Sequence, residues 1–328
     1  MLMKLRIAIA ALLPLALSPW AGTAHAQAQS WPERTVKFVI PFPPGGGTDI
    51  VARAITTKLQ ARLKQPFVIE NLPGAGGSVG TQKVATSPAD GYTFVIGVTN
   101  TFAINPTFFK TMTHDPIRDF QPVSLLAVSP HIFVINPDTP AKNVHEYIEY
   151  VKKNKGKLSY ASYGNGSTSH LITELLKEEA GLDLVHVPYK GIPPALQDLM
   201  GDRVSMLVSS SAPAIPLVRG GKLRAIAIYG DRRISALPDV PTMVEQGFKG
   251  TEFMLWYGLF APAGTPRAIV DKMNAELKIV LADKEVEDIY EKGGLFPSPM
   301  PVEEFTAWVK TENVRWGKLV TLSGAKAE

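Results

Sequence analysis

The sequence predicts an α/β protein built as two discontinuous lobes joined by two crossover strands. Short β-branched runs recur along the chain, each followed by a Gly/Pro-rich turn and then by apolar residues at helical spacing, which is the rhythm of βα units. Two long, apolar, β-prone segments, 122–135 and 251–262, lie far apart and are each bounded by proline or glycine. A second set of βα units lies between them, and the helical segments after 262 return to the first set.

The first strand, Val36–Ile40, ends in the turn Pro41-Phe42-Pro43-Pro44-Gly45-Gly46-Gly47-Thr48-Asp49. Ile50, Ala54, Ile55 and Leu59 then recur at helical spacing, with Thr48 or Asp49 as the expected cap. A second strand is predicted at 67–70, a short helix at 78–86 after a glycine-rich turn, and a third strand at 92–97 entered through Asp90-Gly91. The middle block reads as helix 144–154, strand 158–161, helix 169–180, strand 184–187, helix 194–200, and strands 204–208 and 223–229. Helices at 266–282, 284–293 and 302–319 close the chain. The expected division is 31–125 with 260–328 for one lobe and 126–259 for the other. Two connections between lobes favour hinge closure over a cleft.

The N-terminus carries Lys4 and Arg6, an unbroken apolar run over 7–17, and Ala24-His25-Ala26. That pattern is a secretory signal peptide, expected to be cleaved after Ala26, and the expected location is the periplasm. A membrane-spanning helix needs about 20 apolar residues, so the run is too short to anchor the chain. Removing this leader lowers the formal net charge from +4 to +2. Such a balance, with Lys and Arg scattered, argues against a nucleic-acid surface. Cysteine is absent, which excludes disulfides, thiolate metal sites and a cysteine nucleophile.

Two loops carry the functional signal. Gly45, Gly46 and Gly47 leave backbone N–H groups uncovered between a strand and a helix start, where the helix dipole favours an anion. Thr48 and Asp49 stand where a phosphate-binding loop would carry Lys and Ser/Thr, so a nucleotide is not the expected occupant. Asp49 could cap the helix or accept from a ligand amine or hydroxyl. The second loop repeats the pattern: a strand at 158–161 runs into Ser162-Tyr163-Gly164-Asn165-Gly166-Ser167-Thr168-Ser169-His170. Ligands of open α/β sheets bind at the carboxyl ends of the strands, so two such loops would face opposite ends of one ligand.

Other motifs are weaker. Gly76-Gly77-Ser78-Val79-Gly80 matches the G-x-S-x-G of a serine hydrolase, but Ser78 does not directly follow a strand, so helix capping is its expected role. His114, His131, His145, His170 and His186 show no metal-binding spacing, and no metal or cofactor is expected. Glu174, Glu178 and Glu179 share a helix with Lys177 and read as a solvated face. Trp256-Tyr257 could pack in the hinge or stack on a ligand ring.

Ordered blocks along nearly the whole chain resemble the substrate-binding receptors of tripartite tricarboxylate transporters, the Bug or TctC family. They are Trp31-Pro32-Glu33-Arg34, PFPPGGGTDIVAR (41–53), ENLPGAGGSVGTQKVATSPADGYT (70–93), INPTFFK (104–110), YASYGNGSTSHL (160–171), HVPYKG (186–191), PALQDLMGDRV (194–204), ALPDVPTMVEQG (236–247) and WYGLFAPAGTP (256–266). The resemblance implies a two-lobed periplasmic binding protein, a Venus flytrap of type II-like architecture, that closes on a small carboxylate and hands it to a membrane permease. Family ligands are dicarboxylic, aromatic or amino-acid-like. Carried over, the grip comes from Phe42, Pro43 and Gly45 to Asp49 on one side and from Ser162 to Thr168 on the other, partly through backbone amides and water. Asn100 lies where the family lines the cleft, Asp49 matches the loop aspartate, and Ser209 is a further ligand contact. The chain departs from many relatives at Ser205 and at Ser209, Ser210 and Ser211, where acidic or bulkier residues are expected. A monomer without catalysis is implied; a ligand-sensing partner of a membrane sensor and a serine hydrolase are the alternatives.

Overall fold

The computed structural model describes residues 31–325, so the leader and its cleavage point lie outside the described residues. The chain opens with β1 (Val36–Ile40), α1 (Gly47–Leu63), β2 (Phe67–Asn71), α2 (Ser78–Ala85) and β3 (Thr93–Val98). A π-helical turn, Asn100–Ile104, runs into α3 (Asn105–Phe108) and leads to the long strand β4 (Phe120–Ile135). The middle block is α4 (Val144–Lys153), β5 (Ser159–Ser162), α5 (Thr168–Ala180), β6 (Val185–Pro188), α6 (Ile192–Met200), β7 (Met206–Ser210), α7 (Ser211–Arg219) and β8 (Arg224–Tyr229). It is followed by β9 (Met254–Pro262), α8 (Arg267–Leu281), α9 (Lys284–Lys292), the short β10 (Phe296–Pro297) and α10 (Val302–Leu322).

Pairing follows from the sequence patterns. β1 is VKFVI, almost wholly buried because helices cover both faces, and it pairs in parallel with β2 and β3. β9 lies antiparallel to β3 and to residues 120–130 of β4, giving the order β2-β1-β3-β9-β4. From His131 onward β4 changes partners and runs between β7 and β8, with β5 and β6 continuing beyond β7. One strand therefore serves both halves of the molecule. The segment expected as a second crossover behaves differently: β9 begins with Met254 opposite Pro130 and pairs only with the first half, so the chain has already returned before Met254.

Three apolar clusters hold this arrangement. Phe38, Ile40, Ile55, Phe94 and Met273 pack within the first half, and Ile132, Leu196, Leu207 and Ile228 within the second. A third cluster runs from Phe102 and Phe260, stacked at 3.7 Å between centroids, through Trp256 and Phe253 to Tyr229 and Phe133, and so joins the halves along one side. Each fully buried side chain of this size contributes on the order of 1.5–3 kcal/mol. On the other side the halves meet through loops: a Cβ at Gly191 would fall 2.8 Å from the Pro43 ring, which shows how closely the turns after β1 and β6 approach.

Candidate ligand cleft

β1 delivers the first loop to the centre of this junction. α1 starts at Gly47, with Gly46 as its extended cap residue (φ −79°, ψ 171°) and no side chain capping it. Thr48 and Asp49, expected as caps, fall instead in the first turn. The first-turn amides of an α-helix have no acceptor within the helix and carry the positive end of its dipole. Asp49 does not meet the cleft. Its carboxylate accepts from the Gly45 N–H (3.1 Å), from Arg53 Nε (2.8 Å) and Nη2 (3.1 Å), and from Asn71 Nδ2 (3.3 Å). Asn71 also donates to the Phe42 carbonyl (3.0 Å). Burial alone pushes the Asp49 carboxyl up, but Arg53, the Gly45 amide and Asn71 outweigh it and hold the group below the usual aspartate range. Asp49 thus stiffens the loop from behind and has no free lone pair aimed at a ligand.

Opposite the loop lie the ends of β7 and β9. Phe42, Pro43, Gly46, Gly47 and Thr48 form one wall of a narrow slot of about 30 Å³, and Ser210 and Tyr257 form its floor. Gly47 is required by proximity: a Cβ there would collide with Tyr257 Oη and sit 3.1 Å from Ser210 Oγ. Both hydroxyls are buried, and neither makes a hydrogen bond among the described residues. Burial drives the Tyr257 phenol well above its ordinary pKa; Ser210 and Ser129 stand near enough to moderate that shift without closing a hydrogen bond to it. An unpaired buried hydroxyl costs about 1–3 kcal/mol. Two of them face a helix start that no side chain caps. The remaining walls, from Val98, Tyr163, Gly191, Ile192, Pro193 and Leu255, carry no charge.

The second loop meets the slot through one side chain. Of its residues only Tyr163 lines the slot, while Gly164 and Asn165 line a wider outer chamber of about 230 Å³ that shares Phe42 and Tyr163 with it. Ser162 Oγ is engaged by His186 Nε2 (2.7 Å) and by the Gly164 N–H (3.2 Å). The Gly166 N–H donates to His170 Nδ1 (3.2 Å), and Ser167 caps α5 by accepting from the His170 N–H (3.2 Å). Thr168 is a buried hub. His131 Nδ1 stands 3.1 Å from the Phe253 carbonyl, which only accepts, so Nδ1 carries the hydrogen and Nε2 accepts from Thr168 Oγ1 (2.7 Å). Tyr163 then donates its O–H to Thr168 Oγ1, which fixes the ring that walls the slot. Burial lowers His131 to about 4 and keeps it neutral.

Three further candidate residues stand outside the slot. Gly45 is exposed and spends its N–H on Asp49 outside the slot. Asn100 is buried, and its Oδ1 accepts from the Thr168 N–H (3.4 Å) instead of lining the slot. Ser209 donates to the Ser210 carbonyl (3.0 Å), because successive residues of a strand face opposite ways and Ser210 takes the slot side. The same alternation puts Tyr257 in the slot and Trp256 against Phe305 and Trp308. The turn Lys190-Gly191-Ile192-Pro193 was missed although it carries the signal used elsewhere, a strand, a Gly/Pro turn and a helix start. Ser78 opens α2, its Oγ 3.4 Å from Asn105 Nδ2, with no histidine bonded to it among the described residues. No group of three or more His, Asp or Glu able to hold a metal occurs among the described residues.

Comparison with known proteins places these features in a wider set. The family described as "Tripartite tricarboxylate transporter family receptor" matches residues 51–324. The periplasmic binding protein BugD has a solved structure 36% identical in sequence, with a TM-score of 0.87 over 91% of this chain and 100% of that one. A Rhodopseudomonas palustris protein solved with adipate is 35% identical, with a TM-score of 0.88 over 90% of this chain and 99% of that one. MatC from Rhodopseudomonas palustris, solved with bound malate, is 36% identical, with a TM-score of 0.83 over 88% of this chain and 100% of that one.

Proposed function

The chain belongs to the tripartite tricarboxylate transporter receptor family, and from that premise we propose that it is a periplasmic receptor that captures a small organic carboxylate between its two halves and passes it, chemically unchanged, to a membrane permease. Export behind the N-terminal leader, with cleavage after Ala26, is part of the same reading. The observation that carries it is the slot: two buried, unpaired hydroxyls, Ser210 and Tyr257, face the first-turn amides of α1. A carboxylate there accepts from the Gly47 and Thr48 amides and from both hydroxyls without needing a cationic side chain. The bound malate and adipate of the two related structures support a carboxylate as the ligand class. Its family and related structures being receptors supports binding without catalysis.

Isothermal titration of the purified chain with adipate, malate and hexanoate tests this. Saturable binding of at least one of them, at one site per chain, is expected. A hydrogen bond to a charged group contributes about 1.5–3 kcal/mol, so Tyr257→Phe and Ser210→Ala should each weaken binding by about 10- to 100-fold. Neither should lower the unfolding midpoint, since each removes an unpaired group. Absence of binding by every carboxylate ends the receptor reading, and wild-type affinity in both variants moves the carboxylate elsewhere.

A further inference from the structure

The slot and the outer chamber differ in size and chemistry in a way that bears on which acids fit. At about 30 Å³ the slot holds little more than one or two waters, so a carboxylate fills it and the rest of the ligand cannot share it. Phe42 and Tyr163 line both spaces, so these two side chains form the boundary, or neck, between them, and because the phenol of Tyr163 is spent on Thr168 neither side chain offers a free hydrogen-bonding group there. Beyond the neck the chamber widens to about 230 Å³. Phe109 and Pro73 from the first half, with Pro188 and the ring of Tyr189 from the second, make it apolar. It also has two polar groups. Asn165 Oδ1 is buried with no hydrogen-bond partner among the described residues, and an amide in that position can turn to donate or accept. Lys190 makes no ion pair among the described residues; the nearby Asp198 is already held by Arg203 (2.7 Å) and by the Tyr189 hydroxyl (2.7 Å).

We propose that the outer chamber is a second subsite that selects long acids with an apolar body and a distal carboxylate, and that Lys190 is the residue that reads the distal carboxylate. The inference rests on the carboxylate reading of the slot and extends it to the other end of the ligand. A short dicarboxylate such as malate would bring its second charge to the neck, against Phe42 and Tyr163, where an unpaired charge is strongly disfavoured. A longer one such as adipate carries its methylenes through the neck and places the second charge in the chamber beside Lys190.

Titration calorimetry on the full mature chain, stripped of ligand, separates the possibilities. Adipate is expected to bind at least tenfold more tightly than malate, with hexanoate between them. Lys190→Ala should weaken adipate about tenfold and hexanoate less than twofold, and Lys190→Arg should restore most of the adipate affinity. Equal or tighter binding of malate, or an equal loss for adipate and hexanoate in Lys190→Ala, overturns the subsite while leaving the carboxylate reading intact. If none of the three acids binds, the carboxylate reading itself has failed and the subsite with it.

Discussion

Asp49 lies one turn into α1 and yet is charged and almost fully buried, a combination that is stable only with partners on every side. Arg53, Asn71 and the Gly45 amide supply them. The carboxyl is held below its usual range, so its stabilising effect is fully present above that range and is lost as pH falls through the depressed value. Asp49→Asn is accordingly expected to destabilise the chain by about 1–2 kcal/mol at pH 7, with allowance for the exposed Arg53. The difference should shrink as the pH falls through and below the ordinary aspartate value of 3.8, as urea unfolding at a series of pH values will show. A constant difference at all pH values would mean that the amide simply fails to pack. The glycine run beside Asp49 was legible because unobstructed amides at a strand-to-helix turn have few other uses. Ser210 and Tyr257 were not, because they belong to strands far from residues 42–49 in sequence and only the sheet brings them together.

At the scale of elements, β4 and α5 meet through His131, Thr168 and Tyr163, and this junction makes the second half sensitive to acid. His131 and His170 are both held to about 4 by burial against an ordinary value of 6.5. Between those values the unfolded chain binds protons that the folded chain refuses. Stability is therefore greatest above about 6.5 and falls as pH drops towards 4, by about 1.4 kcal/mol per pH unit for each imidazole, and flattens below. His131→Gln should remove one imidazole's share of that slope; its persistence unchanged would assign the acid sensitivity to other groups. Most elements were legible from their periodicity, including the long β4. α7 was not, since Pro213 and Pro216 give it the look of a loop, and Pro216 is tolerated inside a helix of only nine residues because little of the ladder is lost. The second loop announced its glycines and hydroxyls, but not that His170 and His186, stacked at 4.0 Å, would occupy them from within.

For the whole molecule, the contrast is between a continuous apolar seam on one side and loop contacts on the other. Phe102, Phe260, Trp256 and Phe253 tie the halves together along a line that β4 also follows, whereas Pro43 against Gly191 and Phe108 against Gly166 are small contacts between turns. Relative motion would spare the seam and part the turns, which is the geometry of a hinge. The sequence pointed to two connections through strands; β4 is one of them, but β9 lies wholly in the first half, the return being completed before Met254. That difference arose because an apolar strand bounded by glycine and proline reads alike whether it spans the halves or lies in one of them. The slot takes no more than a carboxylate and lies beneath the meeting turns, so entry of a ligand is expected to need opening and then reclosing. Pro43 is the place to test this, being half-buried at the turn-to-turn contact. Pro43→Trp should wedge the turns apart while leaving each core intact. It is expected to weaken adipate binding by at least tenfold and to leave the urea midpoint within about 0.5 kcal/mol of wild type. Small-angle scattering should show the wild-type radius of gyration falling as adipate saturates and the variant's radius staying high. A wild-type radius that does not respond to saturating ligand would mean that the turns do not part, and that the acid reaches its amides by some path other than hinge opening.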